Sequence, residues 1–189
     1  MQPPTPDRHN LILLLAGLGL ILIAGAAFLM LPGVLSPAAQ PASPAMAPIV
    51  VDFPAPEVRL TDLQGQPVSL LDYRGRVILY NAWATWCPPC KAEMPILQAY
   101  YQAHQMQGFV VIAIEDGEPL GDVAAYAQNY GLTFPVWPDT KWVATNAFGI
   151  HDLPTSYVID RAGTVRLTWF GPTTRALLEQ YVSPLLRDN

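Results

Sequence analysis

Cys87 and Cys90 are the only thiols in this chain of 189 residues, set in the run "ATWCPPCKAEMP" (84–95) with two prolines between them. Two thiols so spaced can be half of a metal site, a local staple, or a couple that passes electrons. A structural zinc site takes four ligands, usually two cysteine pairs, or one pair and two histidines. There is no third cysteine here, and the histidines, His9, His104 and His151, are scattered. A copper-binding pair helped by Met94 or His151 has no methionine-rich or histidine-rich tract behind it. As a staple, a disulfide across two residues closes almost no loop, so it scarcely constrains the unfolded chain.

Electron transfer has a mechanism in these residues. Prolines suit the first turn of a helix, where their missing N–H has no partner to lose. That places Cys87 at a helix start as the exposed thiol, where the helix dipole favours its thiolate. Cys90 follows one turn later, shielded but within bonding reach. In this arrangement Cys87 attacks a partner's disulfide and Cys90 resolves the mixed intermediate.

The elements that must hold this pair alternate along the chain. Val58 to Thr61 and Gln66 to Leu70 read as a short hairpin with Gly65 in its turn. "RVILYNAW" (76–83) and "FVVIAIE" (109–115) are buried strands, and Pro88 to about Gln105 is a helix with Pro95 inside it. Pro119 to Tyr130 is a helix ended by Gly131. "TFPVW" is a short strand, and "KWVATNAFG" a short helix closed by Gly149. "TSYVID" and "TVRLTWF" form a hairpin around "RAG", and a last helix runs from Thr173 to about Leu186. Strand–helix–strand units followed by a hairpin and a helix give an α/β class with a mixed central sheet flanked by helices.

The N-terminal part is of another kind. Leu11 to Leu31 is 21 residues without a charge. As a helix it spans roughly 32 Å, against about 30 Å of bilayer hydrocarbon. A secretory signal's apolar stretch is shorter, about 7–15 residues, and the small-residue site Ala45 to Ala47 is followed by Pro48. The reading is a retained transmembrane helix. Arg8 precedes it, partly offset by Asp7, and no Lys or Arg follows until Arg59. That asymmetry puts residues 1–10 in the cytoplasm and the rest of the chain outside. Residues 32–56 hold seven prolines and six alanines. Such a composition buries no core and makes a semi-extended tether, assigned to 32–49, with the folded domain at 50–189. Beyond residue 46 the chain carries nine Lys/Arg against fourteen Asp/Glu, which argues against nucleic acid and anionic membrane surfaces as partners.

"NAWATWCPPCKAEMP" (81–95) resembles the active-site segment of thioredoxin-like proteins, specifically the membrane-anchored TlpA/ResA type within the redoxin (AhpC/TSA) superfamily. The likeness covers roughly residues 50 to 188. It implies a thioredoxin fold with an extra N-terminal β-hairpin, and an extracytoplasmic thiol–disulfide oxidoreductase with Cys87 and Cys90 as its redox-active disulfide. It implies no cofactor. "HDLPTSYVID" resembles the family's cis-proline loop, so Pro154 is expected to be cis and the Leu153 backbone to hold a partner's chain as an added strand. Trp86 is expected to flank the site, Trp83 to be core, and Lys91 and His151 to play no part in the chemistry. Glu118 matches a glutamate that ResA-type proteins keep beside their cysteines. It belongs to four acids within eight residues, Glu115, Asp116, Glu118 and Asp122, and for the other three a solvated acidic loop is an equal reading. Asn81 stands where thioredoxin has a buried aspartate, and an amide does not titrate. Proton transfer for Cys90 therefore needs another group or water.

The resemblance further implies electrons from a membrane-embedded thiol carrier of DsbD/CcdA type, and clients such as the oxidised cysteines of apocytochrome c before haem attachment. Two alternatives stay open. One is a peroxide-reducing redoxin, weakened because Ala84 stands where a peroxiredoxin's threonine is expected, three residues before the nucleophile. The other is a copper-binding, chaperone-like module.

Overall fold

A computed structural model describes residues 47–187. The cytoplasmic segment, the transmembrane helix and nearly all of the tether expected from the sequence lie outside the described residues. Among the described residues no helix is long and apolar enough to cross a membrane.

The core is one mixed sheet of six strands. In chain order these are β1 (Ile49–Pro54), β4 (Val77–Trp83), β5 (Phe109–Glu115), β6 (Val136–Pro138), β7 (Thr155–Ile159) and β8 (Thr164–Phe170). A separate hairpin of β2 (Arg59–Thr61) and β3 (Pro67–Ser69) turns at Gly65, whose φ of 76° suits a residue without a Cβ. The spatial order is β1-β8-β7-β4-β5-β6, with β4 parallel to β5 and antiparallel to β7. All seven residues of β4 and of β5 are buried, as expected of central strands covered on both faces.

The period of two along these strands divides the core. Val77, Leu79, Trp83, Phe109, Val111 and Ala113 face one layer, and Ile78, Tyr80, Ala82, Val110, Ile112 and Ile114 the other. The first layer is filled by helices α1 (Pro88–His104) and α2 (Leu120–Asn129) and by the C-terminal residues Leu177, Leu178, Val182 and Leu186. The second is filled by helix α3 (Val143–Phe148), through Ala144 and Phe148, and by Val58 and Leu70. Pro95 lies inside α1 on its exposed side, so the missing backbone donor faces solvent.

Two elements depart from the sequence reading. Strand β1 was not anticipated in the proline-rich segment, yet it pairs antiparallel with β8, Ile49 opposite Thr168 and Pro54 opposite Thr164. It is an edge strand with little burial on either face, so it has no alternation to read. The last helix is broken into Arg175–Leu177, a π turn at Leu178–Val182, and Ser183–Arg187. Pro184 has no N–H to give the carbonyl four residues back, and the wider turn just before it absorbs that gap.

Candidate active site

Strands β4 and β5 run parallel and end together, Trp83 beside Glu115, and everything that bears on the cysteines gathers at this end of the sheet. After Trp83 the chain turns through Ala84, Thr85 and Trp86 into α1. Cys87 is the N-cap of α1, and Pro88 and Pro89 occupy its first two positions. Cys87 and Cys90 are joined as a disulfide, with Cα atoms 5.3 Å apart. The N–H of Cys90 donates to Cys87 Sγ at 3.3 Å.

The expectation that Cys87 is exposed does not hold in this oxidised form. Cys87 is 3% exposed and Cys90 fully buried. Both cysteines belong to one buried cluster, and Leu153 packs against it. Thr155, at the start of β7, pairs with Ala82 near the end of β4, so the Leu153–Pro154 loop is delivered to the cysteine end of the sheet. That peptide bond is cis. Trp86 stands 64% exposed beside the pair, and Trp83 is core, packed on Tyr126. Lys91 and His151 are exposed, and Met94 is fully buried in the core.

The four acids are not one solvated loop. Glu115 is fully buried at the end of β5. The N–H of Glu118 donates to both of its carboxyl oxygens at 3.1 Å. Burial, with the Glu118 carboxyl beside it, pushes Glu115 up to about 8. Partial burial of Glu118 acts in the same direction, but donors from Thr85 outweigh it and hold this carboxyl below its usual range. The Thr85 N–H donates to Glu118 at 2.6 Å, and the Thr85 hydroxyl donates to its other oxygen. Glu118 therefore ties down the loop that leads into Cys87. Asp116 is half-buried, accepting from the Thr145 hydroxyl at 3.0 Å, and Asp122 is exposed.

Sequence reasoning passed over one residue of the site. Glu93 lies on α1 three residues after Cys90, so the two side chains share a helix face about 5–6 Å apart at Cβ. It is 1% exposed. Asn81 Nδ2 donates to Glu93 Oε1 at 2.8 Å, and the Thr173 N–H donates to Oε2 at 2.5 Å. Burial pushes its proton affinity up to about 7, against the pull of those two donors. A carboxyl that changes charge near neutrality, one turn from a buried thiol, is the titratable group that Asn81 cannot be. The helical spacing from Cys90 was the available signal.

The chain is similar to known proteins in sequence and in fold. The model of the AhpC/TSA family matches residues 51–168. Thiol-disulfide oxidoreductase ResA of Geobacillus thermodenitrificans is 37% identical over 137 residues, covering 72% of this chain and 79% of its own length. ResA of Bacillus anthracis is 35% identical over 131 residues, 69% of this chain and 76% of its own. Among solved structures, a thiol:disulfide interchange protein of the thioredoxin family from Chlorobium tepidum superposes with a TM-score of 0.66 at 30% identity, covering 73% of this chain and 99% of that one. With the fold, the paired cysteines and these relatives in agreement, the chain belongs to the AhpC/TSA family, as a thioredoxin-fold thiol–disulfide oxidoreductase of the ResA type.

Proposed function

We propose that this oxidoreductase works outside the cytoplasmic membrane as a reductase of protein disulfides. The observation that carries the direction is the short list of donors to Cys87. Pro88 and Pro89 remove two N–H groups from the helix start, and the N–H of Cys90 is the one that reaches Cys87 Sγ. A weakly stabilised thiolate keeps the dithiol reducing, whereas strongly oxidising members of this fold stabilise the thiolate heavily.

The cycle assigns a role to each site residue. The Cys87 thiolate attacks one sulfur of a client disulfide, forming a mixed disulfide and releasing the other client sulfur as a thiolate that takes up a proton. Cys90 gives its proton to Glu93, and the resulting thiolate attacks Cys87 Sγ. The second client sulfur leaves and takes the proton from Glu93. The client gains two electrons and two protons, and Cys87–Cys90 becomes a disulfide. Trp86 and Leu153 border the surface on which the client lies, its chain added along the cis-proline loop as a strand. Glu118 keeps negative charge near the entering thiolate.

The apolar run 11–31 supports a membrane anchor, with 1–10 cytoplasmic and the domain beyond the bilayer. Restoring the dithiol there needs electrons from across the membrane, which suits a membrane-embedded thiol carrier of DsbD/CcdA type. Protein clients such as apocytochrome c cysteines fit a reductase in an otherwise oxidising compartment. The test is a trap in the full chain. Cys90→Ser is expected to accumulate mixed disulfides with clients through Cys87, and Cys87→Ser to accumulate none. Equal trapping by Cys87→Ser would reverse the roles, and trapping of no protein by either variant would remove the protein-disulfide reading.

A further inference from the structure

Asn81 is the centre of a buried polar cluster assembled from distant parts of the chain. It lies on β4, in register with Ser156 of β7, and both are fully buried. Its Nδ2 donates to Glu93 Oε1 at 2.8 Å and to the Ser156 hydroxyl at 3.2 Å. Its own carbonyl oxygen, Oδ1, is buried and has no hydrogen-bond partner. A buried amide whose carbonyl has no protein partner is costly. Both of its N–H groups are thereby committed, one to the carboxyl and one to a hydroxyl that fixes the amide's orientation.

We propose that Asn81 is a positioning residue that sets the proton affinity of Glu93, favouring the carboxylate form through one amide N–H while Ser156 takes the other and fixes the amide's orientation. Without Asn81 the carboxylate would keep only the Thr173 backbone and hydroxyl donors, and burial would weigh further towards the protonated form. With a second acid at this position, two carboxyls would stand within hydrogen-bonding distance and share one proton. The amide lies between these extremes, lowering proton affinity without itself titrating.

The groups facing Glu93 are uncharged on every side. They are Asn81 from β4, the backbone and hydroxyl of Thr173 from the segment after β8, and, behind Asn81, Ser156 of β7. Trp169 of β8 donates its indole N–H to the Thr173 hydroxyl at 3.3 Å, steadying that side. On α1 the neighbouring titratable group is Cys90, and Lys91 is exposed. With no ion pair to dominate, one amide hydrogen bond moves the balance measurably.

This inference rests on the reading that Glu93 exchanges a proton with Cys90, and the two can be tested apart. The full chain in its disulfide form, labelled at glutamate carboxyl carbons, is titrated by infrared spectroscopy, with Glu93→Gln identifying the band. No thiol titrates in this form. In Asn81→Leu the Glu93 midpoint is expected to rise by about one pH unit or more, a tenfold gain in proton affinity. In Ser156→Ala, which frees the amide to turn, a smaller rise is expected, and this variant serves if Asn81→Leu fails to fold. In Asn81→Asp the band should titrate in two separated steps. Midpoints unchanged within 0.3 unit (roughly a factor of two) in the folded variants overturn the inference. A midpoint that moves while the pH profile of client reduction stays fixed upholds it and removes the Glu93–Cys90 proton exchange instead.

Discussion

Asn81 Nδ2 and Glu93 Oε1 meet at 2.8 Å in an interior where both residues are 1% exposed or less. Glu93 binds its proton more tightly folded than unfolded, since burial raises it from 4.5 to about 7. The stability this contributes is present below about pH 4.5 and is lost as pH rises through about 7. The full difference is on the order of 3 kcal/mol. Glu93→Gln, which stays neutral, should therefore gain stability relative to the parent as pH rises from 4.5 to about 7. Denaturant midpoints of the two disulfide-linked proteins across that range measure it; parallel curves would remove Glu93 as a titrating group.

Glu118 is ionised at neutral pH and bound to Thr85, two residues before Cys87. Its charge disfavours a thiolate nearby. In reduced protein, Glu118→Gln should lower the Cys87 pKa, by less than about one unit at this partly solvated position. Thiolate absorbance against pH reports it. A rise in the pKa would mean that Glu118 acts on the loop rather than through its charge.

Gly117 and Trp142 are matched. Gly117 has φ 91°, and a Cβ there would stand 2.8 Å from the Trp142 indole nitrogen. Trp142 itself has φ 53°, the one non-glycine residue of positive φ among the described residues. Gly117→Ala should cost about 1–3 kcal/mol. Trp142→Gly relieves the backbone at 142 and removes the clash, so Gly117→Ala should cost less in that background. Equal costs in a double-mutant cycle would show that the indole is not what excludes a side chain at 117.

The cysteine pair and its helix were legible because their signal is local, prolines at a helix start, and the cis-proline loop was legible only through the likeness of "HDLPTSYVID" to a known family's loop. The same locality hid Glu93. In "CKAEMP" it reads as one more charge on a helix surface, and what makes it part of the site is a backbone N–H eighty residues further on, at Thr173. Glu115 carried two readings, the end of the buried strand "FVVIAIE" and a member of an acidic loop, and the first holds: it is the last residue of a central strand and is buried with it. Strand β1 exists only through its pairing with β8, which composition does not record.

Membrane anchoring has a separate test. Carbonate washing should leave the full chain in the membrane, and protease added outside spheroplasts should degrade the domain. A soluble fragment beginning near residue 39 or 48 would show instead that the N-terminal segment is cleaved.

The central claim, that Cys87–Cys90 serves as a reducing couple, is tested most directly by its reduction potential. Equilibrating the domain's dithiol and disulfide with glutathione should place the couple nearer about −270 mV than about −120 mV, with a Cys87 pKa at or above about 7. A potential above about −150 mV with a pKa near 4 would make the protein an oxidant of client thiols, and the reductive cycle would not stand.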